Sequence, residues 1–165
     1  MARRTKISYA VVVGVSSVLL SSCQFSLALW VIPGSTAGNL VFGFSESRGG
    51  EEEVQPSSIR IFPCPSIKRQ PEGGYYPSDD AAVWSASTLS TSPPAPANRI
   101  TYGRAPGLEN QRGPQPLAAP GCYVVISYAR DSRGASRVAT SGFTIDEAGQ
   151  VREMSEGEYN NVFGQ

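Results

Sequence analysis

Three cysteines, three short runs of carboxylates and no histidine set the chemistry open to this 165-residue chain. Without imidazole the commonest general base is missing, and so are the usual activator of serine or cysteine nucleophiles and the commonest metal-binding nitrogen. Serine-hydrolase triads, papain-like dyads and histidine-bearing metal sites are therefore excluded. Carboxylate chemistry remains: Glu51 to Glu53, Asp79-Asp80 and Asp146-Glu147 could supply an acid/base couple if two groups faced each other across a cleft, as in glycosidases. Each run, however, lies in turn-forming sequence, where acidic residues are expected without a catalytic role. Adjacent glutamates converge on one cation only where the backbone loops around it, so no metal site is predicted. Gly34-x-x-x-Gly38 lacks the lysine and helix of a phosphate-binding loop, and no cofactor is implied.

The elements that must position these residues begin with a leading segment. Arg3, Arg4 and Lys6 precede an uncharged apolar run from Ile7 to Leu20, followed by Ser21-Ser22-Cys23. A positive start, an apolar middle and small residues before a cut are the three parts of a secretory signal. Leu20-Ser21-Ser22-Cys23 resembles the lipobox of bacterial lipoproteins. The resemblance implies cleavage before Cys23, acylation of its thiol and new amino terminus, and export of all that follows. Residues 1–22 are then a signal peptide, 23–153 a lipid-anchored domain, and 154–165 a polar, frayed tail. By resemblance to lipoprotein sorting, Gln24 in place of an aspartate leaves delivery to the outer membrane, facing the periplasm, open in a two-membrane cell. The alternative is an uncleaved, signal-anchored transmembrane helix, because no charge interrupts Ile7 to Ile32. Thr5-Lys6 after Arg3-Arg4 departs from a twin-arginine signal.

With Cys23 assigned to lipid, Cys64 and Cys122 are left as a pair in an oxidising compartment. Such a pair predicts a disulfide, against the alternative of two separate buried thiols. No Cys-x-x-Cys spacing suggests zinc.

Charged residues make up only 17 % of the chain, and 17 Gly and 13 Pro break it often. That composition favours a turn-rich β domain over a helical one. Strands are expected near 25–32, 40–45, 58–62, 82–87, 99–102, 122–129 and 137–145, with a short one at 150–153. Phe25, Leu27, Leu29 and Val31 alternate with Ser26, Ala28 and Trp30, and Leu40, Phe42 and Phe44 share one face. Trp84 should point inward. Cys122 to Tyr128, β-branched and aromatic, reads as a central strand. The fold class is all-β, an antiparallel two-sheet sandwich of seven or eight short strands with no helix of convincing length. Pro120-Gly121-x-Tyr123 resembles a strand start in immunoglobulin-like and carboxypeptidase-regulatory-like sandwiches, which implies a seven-strand Greek key.

Two long loops carry the candidate binding surface. Tyr75 and Tyr76 lie in the first, where exposed tyrosines would give contact area with a polar handle; the alternative has their rings folded back over the sheet. Arg104 and Arg112 lie in the second, residues 104–120, which could equally be a connection between the two sheets. Three of the 14 cations fall in the leading segment, so the remainder is net negative, and no basic cluster suits a nucleic acid. The sequence thus predicts a non-catalytic, lipid-anchored envelope protein that binds or supports. Its partners would be the membrane, through the anchor, and an envelope protein or glycan. The alternative of another class is a carboxylate-based hydrolase of envelope glycans.

Overall fold

A computed structural model describes residues 27–68, 77, 79–89 and 95–164. Among the described residues nine strands, all paired antiparallel, form two sheets packed face to face. The first contains β1 (Ala28–Val31), β2 (Val41–Ser45) and β5 (Arg99–Thr101), in the order β1-β2-β5. The second contains β3 (Gln55–Pro63), β4 (Trp84–Ser87), β6 (Glu109–Arg112), β7 (Gly121–Arg130), β8 (Ser136–Ile145) and β9 (Val151–Glu153). Its order is β6-β4-β3-β7-β8-β9.

The period-two pattern dictates which side chains meet between the sheets. Leu29 and Val31 of β1, Phe42 and Phe44 of β2 and Ile100 of β5 face Ile59 and Ile61 of β3, Trp84, Val125 and Phe143. Phe143 stacks on Tyr123 with ring centroids 5.3 Å apart and lies 5.8 Å from Phe42. Each such side chain, removed from water, contributes about 1.5–3 kcal/mol. Trp30 turns the other way, over its register partner Gly43, where any Cβ would collide with the indole. Gly43 is therefore required by close approach, and the ring shields a strand that has no side chain there. Pro56 and Pro63 sit at the ends of β3, beyond the span that β4 pairs, so their missing N–H groups cost no hydrogen bond on that side.

Two elements depart from the sequence reading. Residues 104–120 do join the first sheet to the second, but they include edge strand β6. Its residues, Glu-Asn-Gln-Arg, show no apolar alternation because an edge strand exposed on its outer face buries almost nothing. The rest of that loop is held by Tyr102, whose hydroxyl donates to Gln115 O at 2.7 Å and lies 3.3 Å from Val83 O. Burial pushes the Tyr102 phenol up to about 12, although the bond to Gln115 opposes this.

The second departure corrects the frayed tail: helix α1 (Glu156–Gly164) closes the chain. Phe62, Ile67, Ala82 and Val124 form a second apolar cluster on the outer face of the six-stranded sheet, and Tyr159, Val162 and Phe163 pack against it. Gly142 lets the helix come close, since a Cβ there would lie 2.6 Å from Met154 Sδ and 3.0 Å from the Tyr159 ring. A capping box starts α1. Ser155 Oγ accepts from Glu158 N at 3.3 Å, while Glu158 Oε2 accepts from Ser155 N at 2.8 Å. Arg152 completes the start with a bidentate pair to Glu158 at 2.7 and 2.8 Å.

The Arg152 bond first, and then those from Ser155, hold the Glu158 carboxyl far below its ordinary value of 4.5. A depressed folded-state pKa stabilises the helix above the unfolded value and loses that contribution as pH falls below it. Amide exchange in α1 should therefore accelerate below about pH 4.5 before the core strands open. Ser155→Ala should reproduce the loosening at neutral pH, at a cost of about 1 kcal/mol. Exchange at Tyr159 that stays flat through both changes would show that the cap does not hold the helix.

Candidate functional site

Cys64 and Cys122 are the predicted site residues that the fold brings together. Pro63 of β3 is paired with Tyr123 of β7, so the next residue on one strand and the previous one on the other meet across the ladder. Their Cα atoms are 5.3 Å apart and the sulfurs are bonded. Cys64 opens a short 3-10 turn, Cys64–Ser66, closed by the Ile67 N–H on the Cys64 carbonyl at 3.0 Å. The bridge lies beside the cluster that receives α1, so it ties two central strands where the helix docks.

Cys23, Tyr75 and Tyr76 lie outside the described residues. Arg104 is exposed in the turn after β5, where its N–H donates to Thr101 O at 2.8 Å. Arg112, on β6, is engaged elsewhere. Its guanidinium donates to the carbonyls of Asp80 at 2.8 Å and Ala82 at 3.3 Å, with the Asp80 carboxylate 3.8 Å away. It holds the 3-10 turn Asp79–Ala81 against the sheet.

The carboxylates do not converge. Glu51 to Glu53 precede β3 at one end of the sandwich, while Asp146-Glu147 follow β8 and Asp80 precedes β4 at the other. Glu52 accepts from Ser45 Oγ at 2.7 Å, a bond that lowers its pKa, and Asp146 Oδ1 accepts from Gln150 N at 2.8 Å. Among the described residues no group of three Cys, Asp or Glu side chains could hold a metal ion, and no helix is long and apolar enough to cross a membrane.

The most elaborated polar feature is the hairpin between β7 and β8. Asp131 is buried at its base and accepts from Arg133 N at 3.0 Å, Ala135 N at 2.8 Å and Arg137 Nε at 3.3 Å. Burial opposes its charge, but these donors outweigh it and lower the pKa. Beside it lies an open depression of about 370 Å³, lined by Glu53, Gln55, Pro96, Arg130 and Asp131 among others. The Asp131 carboxylate is bonded within its own hairpin.

Tyr123 carries a second specific contact. Its hydroxyl accepts from Ala118 N at 2.7 Å, five residues upstream, and tacks the end of the long loop onto the start of β7. Sequence reading pointed to Tyr123 without this bond. It overlooked the Ser155-x-x-Glu158 spacing, a legible helix-start signal, and the role of Asp131, which needs the hairpin to be seen.

These features define a class: an antiparallel β-sandwich pinned by one disulfide, with a C-terminal helix on the outer face of its larger sheet. No protein-family model matches the chain, and no curated protein or solved structure is significantly similar to it.

Proposed function

We infer that this is an exported, lipid-anchored domain that acts by binding or support rather than catalysis, with Cys23 as the acylated residue. The observation that carries the reading is the Cys64–Cys122 bridge, because a disulfide between adjacent core strands suits an oxidising compartment. It uses two of the three cysteines and leaves Cys23, at the end of a secretory-type segment, for the lipid. The carboxylate runs stand at opposite ends of the sandwich, and this separation favours a non-catalytic role. Its place would be the cell envelope, and in a two-membrane cell the periplasmic face of the outer membrane.

The same reading extends to an immunoglobulin-like sandwich. Two features support it: β2 and β5 pair in one sheet while β4, β3, β7 and β8 are consecutive in the other, and Tyr123 bonds back to the backbone before its strand. A tyrosine so placed, at the strand after the sheet-to-sheet crossing, is a recurrent corner of such folds.

Cys23→Ala should move the protein from the membrane fraction to the soluble exported fraction, and the parent's mature N-terminus should be an acylated Cys23 by mass spectrometry. An intact Met1 or Ala2 start, with retention of the alanine variant in salt-washed membranes, would replace the lipid anchor with an uncleaved apolar helix.

A further inference from the structure

Three large hydrophobic side chains are exposed among the described residues: Leu89 (42 %), Tyr128 (43 %) and Val138 (53 %). They belong to one region. Tyr128 of β7 and Val138 of β8 are direct register partners on the outer face of the six-stranded sheet. Ser58 of β3 pairs with Tyr128 on one side and with Ser87 of β4 on the other. Leu89 follows two residues after Ser87, where Thr88 N donates to Ser57 O at 3.0 Å and Ser57 Oγ donates to Tyr128 O at 3.1 Å. Helix α1 covers the opposite end of this face, over Phe62 and Val124, and leaves this end open.

The chain enters the sandwich at the same end. Ala28, the first residue of β1, pairs with Ser45, the last of β2, and the carboxylate of the next residue, Glu46, accepts from Ser132 N at the β7–β8 hairpin tip at 2.6 Å. Cys23 stands four residues before Leu27, which is already buried in the core. Fully extended, that connection reaches at most about 14 Å. A lipid on Cys23 would thus hold this end of the sandwich against the bilayer.

Building on the reading of Cys23 as the anchor, we propose that this corner rests on the membrane, with Leu89, Tyr128 and Val138 seated in the headgroup layer. The charge around it decides how. Arg60, Arg130, Arg133 and Arg137 are interleaved with Glu46, Glu51, Glu52, Glu53 and Asp131, and Asp131 pairs directly with Arg137. Cations do not outnumber carboxylates here, so apolar contact and the amphipathic Tyr128 ring hold the corner, without a need for anionic lipid. The lipid and the corner together give two fixed points, and the far end, with the Asp146-Glu147 turn, is presented away from the membrane.

The test uses the mature protein acylated on Cys23 in phosphatidylcholine vesicles with and without brominated acyl chains, and a tryptophan reporter placed by Tyr128→Trp, Val138→Trp or Glu147→Trp. The signal of the parent, from Trp30 and Trp84, is subtracted. Emission from both corner reporters should fall roughly two-fold or more in brominated vesicles, as for side chains in the headgroup and acyl boundary. The Glu147→Trp signal should not change, and added anionic lipid or salt should alter neither result.

Flotation of the same samples separates the two layers of inference. Protein that floats with its vesicles while both corner reporters stay unquenched overturns the docking and leaves the anchor intact. The docking is equally overturned if such floating protein crosslinks through the corner as a dimer, because a second copy would then cover it. Protein that carries no lipid and does not float overturns the anchor, and the docking with it.

Discussion

Replacing Cys64 and Cys122 together by alanine should destabilise the folded domain by about 4 kcal/mol, from the loop of 58 residues that the bridge closes. The magnitude follows from chain entropy: the cross-link removes open conformations from the unfolded ensemble, and the penalty grows with the logarithm of loop length. It sits at the upper end of what one bridge supplies, since any distortion of the native strands subtracts from it. Against a total stability of about 5–15 kcal/mol for a domain, the loss would be large. Urea unfolding with and without reductant should show it as a lowered midpoint with a cooperative transition retained. Parent protein whose two thiols are both alkylated without reductant, after export and folding, would show that no bridge forms.

Trp84→Ala should cost about 3–5 kcal/mol, the range for emptying a large aromatic site in a packed core. Trp84 is fully buried, its ring packs T-shaped with Tyr102 with centroids 5.3 Å apart, and its indole N–H donates to Asn110 Oδ1 at 2.8 Å. The last contact joins the core to edge strand β6. Asn110→Ala should therefore cost about 1 kcal/mol and release β6 first, because one hydrogen bond is removed while the apolar contacts remain. Thermal unfolding gives the totals, and amide exchange in residues 109–112 tests the local effect. If Trp84→Ala left the melting temperature unchanged, the placement of Trp84 between the sheets would be wrong.

The two substitutions also mark two kinds of information. Trp84 was legible as inward because Trp84 and Ala86 alternate with Ser85 and Ser87, a period of two that puts them on one face. Its partner Asn110 was not, since a polar residue among polar residues carries no signal until the strand beside it is known. The same holds for α1. Its residues bury only Tyr159, Val162 and Phe163, and what makes them a helix is the apolar patch around Phe62 and Val124 that waits for them. The capping box at Ser155 was present in the sequence but weak on its own.

The candidate site divides in the same way. Arg112 donates to the carbonyls of Asp80 and Ala82, because an edge strand next to an irregular turn offers acceptors that sequence does not reveal. Asp131 is the buried hub of a hairpin, a role visible only once β7 and β8 are paired.

By itself the sequence determined the all-β class, the inward faces of β1, β2 and β4, and the two cysteines available for a bridge. These follow from side-chain period and residue chemistry, which are local. Only the tertiary structure decided that Cys64 and Cys122 flank one register pair, and that the polar segment 109–112 closes a sheet. It also decided that the tail is a helix, and that the exposed Leu89, Tyr128 and Val138 share the end where the chain enters. Each of these depends on which strands pair and in what register, and that is settled by the burial of the whole core rather than by any one segment.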